Sequence, residues 1–129
     1  MILLDTHVVA WMASAPELLS HHAKLAIEDA SGGGGIAISG ITLWELAQLM
    51  TAGRLKISGA VETFVEEIAE RLVVIPISPQ IAVLSARFSE PYPRDPVDRL
   101  IGGTALAEGI ALVTKDGAIR ASGQVKTVW

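Results

Sequence analysis

At 129 residues, half of them apolar, the chain has the length and core-forming content of one domain, with no room for a second. Without cysteine it has no disulfide framework, no thiolate nucleophile and no zinc site of the cysteine type, so any metal must be held by oxygen or histidine. A net charge of −4 argues against a broad basic groove for nucleic acid; with no apolar run near the roughly 20 residues of a membrane span and no leader-like start, a cytoplasmic protein without a membrane partner is expected.

Met1 to Leu4 is an apolar run that ends at Asp5, a first strand with an acid at its carboxyl end. Asp5 or Thr6 caps a short helix from His7 to about Met12, and after Pro16 Ser20 caps a second helix through Ala30. The glycines Gly32 to Gly35 have no Lys-Ser or Lys-Thr after them and precede a strand, so they read as a flexible turn and not as a phosphate loop. Ile36 to Ile38 is the second strand. Ser39 to Thr42 leads into a helix through about Ala52, where Thr42 and Glu45 have capping-box spacing, giving Glu45 a bland role at its own helix start. Ser58 caps a helix from about Ala60 to Arg71, whose Val61, Phe64, Val65, Ile68 and Leu72 form a core stripe. Leu72 to Ile77 is the third strand, and Ser78-Pro79 opens a helix that ends near Phe88, before Glu90-Pro91-Tyr92-Pro93.

The stretch from Asp95 to Asp116 carries the most information. Asp98 stands where a helix should begin, Gly109 ends that helix at the left-handed position, Ile110 to Val113 is a buried strand, and Asp116 lies just past it. Ala118 to Ala121 makes at most one helical turn, and Gln124 to Val128 alternates as a short fifth strand. Five strands separated by helices predict an α/β fold with a mostly parallel sheet and right-handed crossovers. Ligands of such sheets bind beyond the carboxyl ends of the strands, where Asp5, Asp98 and Asp116 all fall, with Glu45 one turn inside the helix after strand two.

Carboxylates gathered in one crevice raise one another's pKa or require cations. Magnesium or manganese suits them, because hard ions prefer carboxylate and water oxygens, and the chemistry they support is hydrolysis of a phosphodiester. Each acid alone has a plainer reading: Asp at a helix start is more often a cap, Asp116-Gly117 a turn, and Asp95 before Pro96 a turn former. His7, His21 and His22 read as surface or capping residues, with His7 close enough to Asp5 to touch substrate. Ten Lys and Arg residues remain, among them Arg54, Lys56, Arg94, Arg99, Lys115 and Arg120, and several of these sit near the acids.

Asp5-Thr6-His7 with Trp11, Ser39-Gly-Ile-Thr42-Leu-Trp-Glu45, Asp95-Pro-Val-Asp98-Arg99 and Leu112-Val-Thr114-Lys-Asp116 resemble, in order, the motifs of PIN-domain ribonucleases, nearest to the VapC-type toxins of toxin–antitoxin pairs. The resemblance spans residues 1–129. It implies a single three-layer α/β/α domain and an endoribonuclease dependent on Mg2+ or Mn2+. It also implies an acidic quartet of Asp5, Glu45, Asp98 and Asp116, a further acid at Asp95, and supporting hydroxyls at Thr6 and Thr114. RNA as substrate, a cognate antitoxin and a homodimer are the partners it implies. Gly102 and Gly103 stand where the family more often has alanine, and Val97 where it often has an aromatic.

Three rival classes are weaker. An aspartyl phosphatase needs a second acid two residues after Asp5, where His7 stands, and a receiver domain needs an acid ending strand three, which reads Val73-Val-Ile-Pro-Ile. A catalytically silent PIN-like interaction module has no need of an intact quartet.

Overall fold

The computed structural model describes residues 1–129. Its five strands are β1 (Ile2–Leu4), β2 (Ile36–Ser39), β3 (Val73–Ile75), β4 (Ala111–Val113) and β5 (Thr127–Val128), and they form one sheet in the order β3-β2-β1-β4-β5. Every pairing is parallel, with Leu3 opposite both Ala37 and Leu112, and Leu4 opposite Val113. The helices are α1 (Thr6–Ser14), α2 (His21–Asp29), α3 (Gly40–Thr51), α4 (Val61–Arg71), α5 (Pro79–Ala86), α6 (Pro96–Glu108) and α7 (Gly117–Ser122).

Side chains alternate across a strand, and here the alternation divides the core into two. Leu4, Ile38 and Val113 point to one face, where Val8 and Val9 of α1, Ala23 of α2, Leu46 of α3 and Phe64 of α4 cover them. Leu3, Ala37 and Leu112 point to the other, under Phe88, Tyr92, Ile101 and Ala105 of α6 and Ile119 of α7. The result is the expected three-layer α/β/α arrangement. Neighbours β1 and β4 are where strand order reverses, so the crevice beyond their carboxyl ends is the sheet's natural ligand position.

The glycine pair in α6 has a packing reason. A Cβ on Gly102 would fall onto the Tyr92 hydroxyl and 2.9 Å from Phe88 Cζ, and one on Gly103 onto the Ser85 hydroxyl and 3.0 Å from the Ile81 carbonyl oxygen. Phe88 and Tyr92 stack face to face at 3.9 Å beneath this helix, so the aromatic rings occupy the volume that alanine would need.

Four local expectations are corrected. Asp95, not Asp98, caps α6: its Oδ1 accepts from the amides of Val97 (2.8 Å) and Asp98 (3.2 Å), and Pro96 takes the first helical position, where its missing N–H is harmless. Ser39, not Thr42, caps α3, which leaves Glu45 free of the capping role. Ser58 caps nothing, because Gly59 at φ +96° turns the chain before α4 begins behind Ala60. The third strand is shorter than its apolar run because Pro76 has no N–H to continue the ladder. By contrast Ser20 and Ser78 cap their helices, and Gly109 ends α6 at φ +64° as expected.

Candidate active site

Asp5 follows β1 directly and caps α1, so its backbone and side chain are both fixed. Its N–H bonds the Val113 carbonyl at 3.0 Å, its Oδ1 accepts from the Thr6 amide at 2.8 Å, and its Oδ2 accepts from the Thr114 hydroxyl at 2.7 Å. The Thr114 oxygen also accepts from the Asp116 amide at 3.0 Å, and Asp116 in turn caps α7 through Ile119 N–H at 2.9 Å. One hydroxyl therefore ties the ends of β1 and β4 together. Thr6 is buried beside it and shares a 3.1 Å hydrogen bond with the Thr42 hydroxyl, linking α1 to α3.

Asp5, Glu45, Asp95, Asp98 and Asp116 line one crevice of about 470 Å³, together with His7, Trp11 and Lys115. Thr6 and Thr114 lie beneath it and are fully buried. All seven residues singled out in the sequence thus come together, five in the lining and two under it. Lys115, one of the cations that stand near the acids in the sequence, lies in the wall with its ammonium 5.4 Å over the Trp11 ring. Arg99 faces away, donating to the carbonyls of Pro93 (3.0 Å) and Phe88 (2.9 Å), so it holds the loop before α6.

The sequence matches the family described as PIN domain over residues 2–123. The chain belongs to that family. It is 35% identical to Ribonuclease VapC22 of Mycobacterium tuberculosis over 130 residues, covering 99% of this chain and 98% of the relative. Among solved structures it is similar to VapBC2 from Rickettsia felis bound to a promoter DNA fragment (TM-score 0.73, 20% identity, 98% of this chain and 97% of that one). It is also similar to DNA-bound VapBC from Salmonella typhimurium (TM-score 0.69, 23% identity, 98% and 97%). At those identities the two structures speak for the fold alone.

In this PIN domain the acids are electrostatically uncompensated. Burial first, then the charges of Asp5, Asp95, Asp116 and Glu45, push the Asp98 carboxyl up to about 7. Burial also raises Asp5, against the Thr114 hydroxyl, the Thr6 amide and His7, with Asp116 adding to the rise. Glu45 is raised by burial and by Asp5 and Asp95, with the Thr6 hydroxyl and His7 drawing it back. Burial and the neighbouring Asp98 keep the Tyr92 phenol protonated, and it donates to the Asp98 carbonyl oxygen at 2.6 Å.

The donor set fits a hard divalent cation. No three acid or histidine side chains already converge on one point, but Mg2+ is commonly held by one or two carboxylates and keeps several waters, for which an open crevice leaves room. The burial and like charges that raise Asp98 are both conditions that a bound cation would offset.

Proposed function

We propose that the chain is a Mg2+- or Mn2+-dependent endoribonuclease that hydrolyses RNA phosphodiester bonds and serves as the toxin of a toxin–antitoxin pair. The observation that carries this is the gathering of Asp5, Glu45, Asp98 and Asp116 in one crevice, with Asp98 raised to about 7 by burial and then by its acidic neighbours. The ribonuclease name of the 35% identical relative supports the substrate class, and the VapBC complexes support a cognate antitoxin. No helix is long and apolar enough to cross a membrane. The reading includes a cytoplasmic location, one domain over residues 1–129 and a homodimer as the working assembly.

Asp5, Glu45, Asp98 and Asp116 would hold the ion, with Asp95 supporting from the rim. When bound, it supplies Lewis acidity for the attack of water on phosphorus. The protein's own contribution is orientation. Each Asp5 oxygen has one hydrogen bond, from Thr6 N–H or Thr114 O–H, which leaves a lone pair on each for a ligand. Asp116 and Asp95 each spend Oδ1 on a helix start and keep Oδ2 unbonded. Lys115 supplies the wall's cation for a substrate phosphate.

Purified protein is expected to cleave single-stranded RNA with added Mg2+ or Mn2+ and to stop in excess chelator. Cleavage undiminished by chelator, or retained in full by Asp98→Asn, overturns the metal-site reading, and absence of cleavage with either metal favours a silent interaction module.

A further inference from the structure

A second groove, of about 510 Å³, opens between α1 and the loop after α3. His7 and Trp11, one helical turn apart on α1, line both this groove and the acidic crevice, so the two are continuous across that helix face. Arg54 and Lys56 form the groove's far wall; both are exposed and neither is ion-paired, the salt bridge of the chain being Arg94–Glu90. No carboxylate lines it. Arg54 also lines a smaller pocket together with Glu45 and Asp95.

We propose that this groove holds the single-stranded RNA flanking the scissile phosphate, with a base against His7 and Trp11 and the backbone against Arg54 and Lys56. The inference rests on the ribonuclease reading and extends it to the substrate's path. An acidic crevice repels the rest of a polyanion, so binding energy must come from cations outside it. Single-strand sites combine a cationic track with aromatic faces, and this groove pairs unspent cations with an aromatic pair. Trp11 packs against Trp129 at a centroid distance of 5.9 Å, tilted 57°, and has the Lys115 ammonium 5.4 Å over its ring, contacts that hold it at the junction of groove and crevice. His7 is tilted 58° to it at 6.1 Å and is exposed, giving an adjustable second surface.

Leu55, between the two cations, is the buried anchor of the loop, so truncating its exposed neighbours spares the core. The test measures binding of a fluorescein-labelled single-stranded oligoribonucleotide by anisotropy across a salt series in Ca2+, and its cleavage in Mg2+. The proteins are wild type, the double variant Arg54→Ala/Lys56→Ala and the control Lys24→Ala, a cation on the remote helix α2. For the double variant the slope of log K against log salt is expected to fall by about 1.4, the share of two single-strand phosphate contacts. KM is expected to rise with kcat retained, and Lys24→Ala to match wild type.

An unchanged slope and KM in a double variant that melts like wild type overturn the groove assignment while leaving the ribonuclease reading intact. A wild type that neither binds nor cleaves RNA overturns both. Unchanged RNA binding with weakened binding of a co-expressed antitoxin assigns the groove to a protein segment instead.

Discussion

Beyond the carboxyl ends of β1, β2 and β4 the chain buries Asp5, Thr6, Ser39, Thr42 and Thr114, whereas the opposite end of the sheet closes on backbone. There a cavity of about 400 Å³ is lined by Ala30, Ser31, Gly32, Gly33, Gly35, Ile36, Arg71 and Leu72, with no carboxylate. Main-chain bonds close it, Gly35 N–H to the Ala30 carbonyl (2.8 Å) and Ile2 N–H to the Gly35 carbonyl (3.2 Å), with the Ser31 hydroxyl donating to the Ile27 carbonyl at 2.8 Å. Both ends join the same strands to helices, so connection alone does not require buried acids. Burying a carboxylate opposes folding unless it is partnered, and its concentration at one end marks where stability has been exchanged for chemistry.

The comparison breaks most visibly at the acids. Asp5→Asn, Asp98→Asn and Asp116→Asn are each expected to lower RNA cleavage by more than the roughly 100-fold seen when residues behind a metal ligand are lost, without a fall in melting temperature. Asp95→Asn is expected to lose less, because Asn caps a helix as well as Asp and the amide contacts at Val97 and Asp98 survive. Initial rates and thermal melts on the four variants check both statements. A sharp drop in melting temperature for the first three would show that their carboxylates are kept for stability rather than for chemistry.

A smaller effect is expected behind the site. Gly102→Ala drives a methyl into Tyr92 and Phe88 and is expected to destabilise by about 1–3 kcal/mol in urea melts, as overpacking does. Because Tyr92 holds the Asp98 carbonyl, cleavage should fall with it.

The metal-free protein should also show the charge balance in its pH dependence. Asp98 binds its proton more tightly folded (pKa about 7) than unfolded (3.8), so between those values the native state carries the extra proton. Stability therefore falls as pH rises from about 4 to about 7 and levels above it. Asp98→Asn removes this slope, with a gain of roughly 1–2 kcal/mol at pH 8 after allowing for solvent screening of a half-buried carboxylate. Chelator-treated melts at pH 5 and 8 measure it, and equal slopes in wild type and variant would show that Asp98 keeps an ordinary pKa.

At the glycine turn the expected effect is smallest. A Cβ on Gly33 meets nothing within 4 Å, so Gly33→Ala should change stability by about 0.5 kcal/mol or less and leave cleavage untouched. A large loss of cleavage would mean that the two ends are coupled.

The legibility of the chain follows the same division. Runs such as Ile2–Leu4 and Ala111–Val113 announce buried strands, and an acid follows each, Asp5 directly and Asp116 after Thr114 and Lys115. The cap of α6 was misplaced because Asp95 and Asp98 both precede helix-forming sequence, although proline at position 96 marks Asp95 as the residue outside the helix. Glu45 has two readings in the sequence, and the Ser39 cap of α3 leaves it only the one in the crevice. Tyr92 beneath Gly102, Lys115 over Trp11 and the pocket shared by Arg54 and Glu45 depend on packing between distant segments, which no local pattern records.

The Thr114 hydroxyl joins Asp5 to a residue 109 positions later in the chain. During synthesis Asp5 emerges early, yet it has neither this partner nor Asp116 until β4 has left the ribosome and paired with β1. Cooperation between Asp5 and Asp116 is therefore a property of the paired sheet alone, and a chain in which β1 and β4 have parted keeps both acids but not the crevice they line.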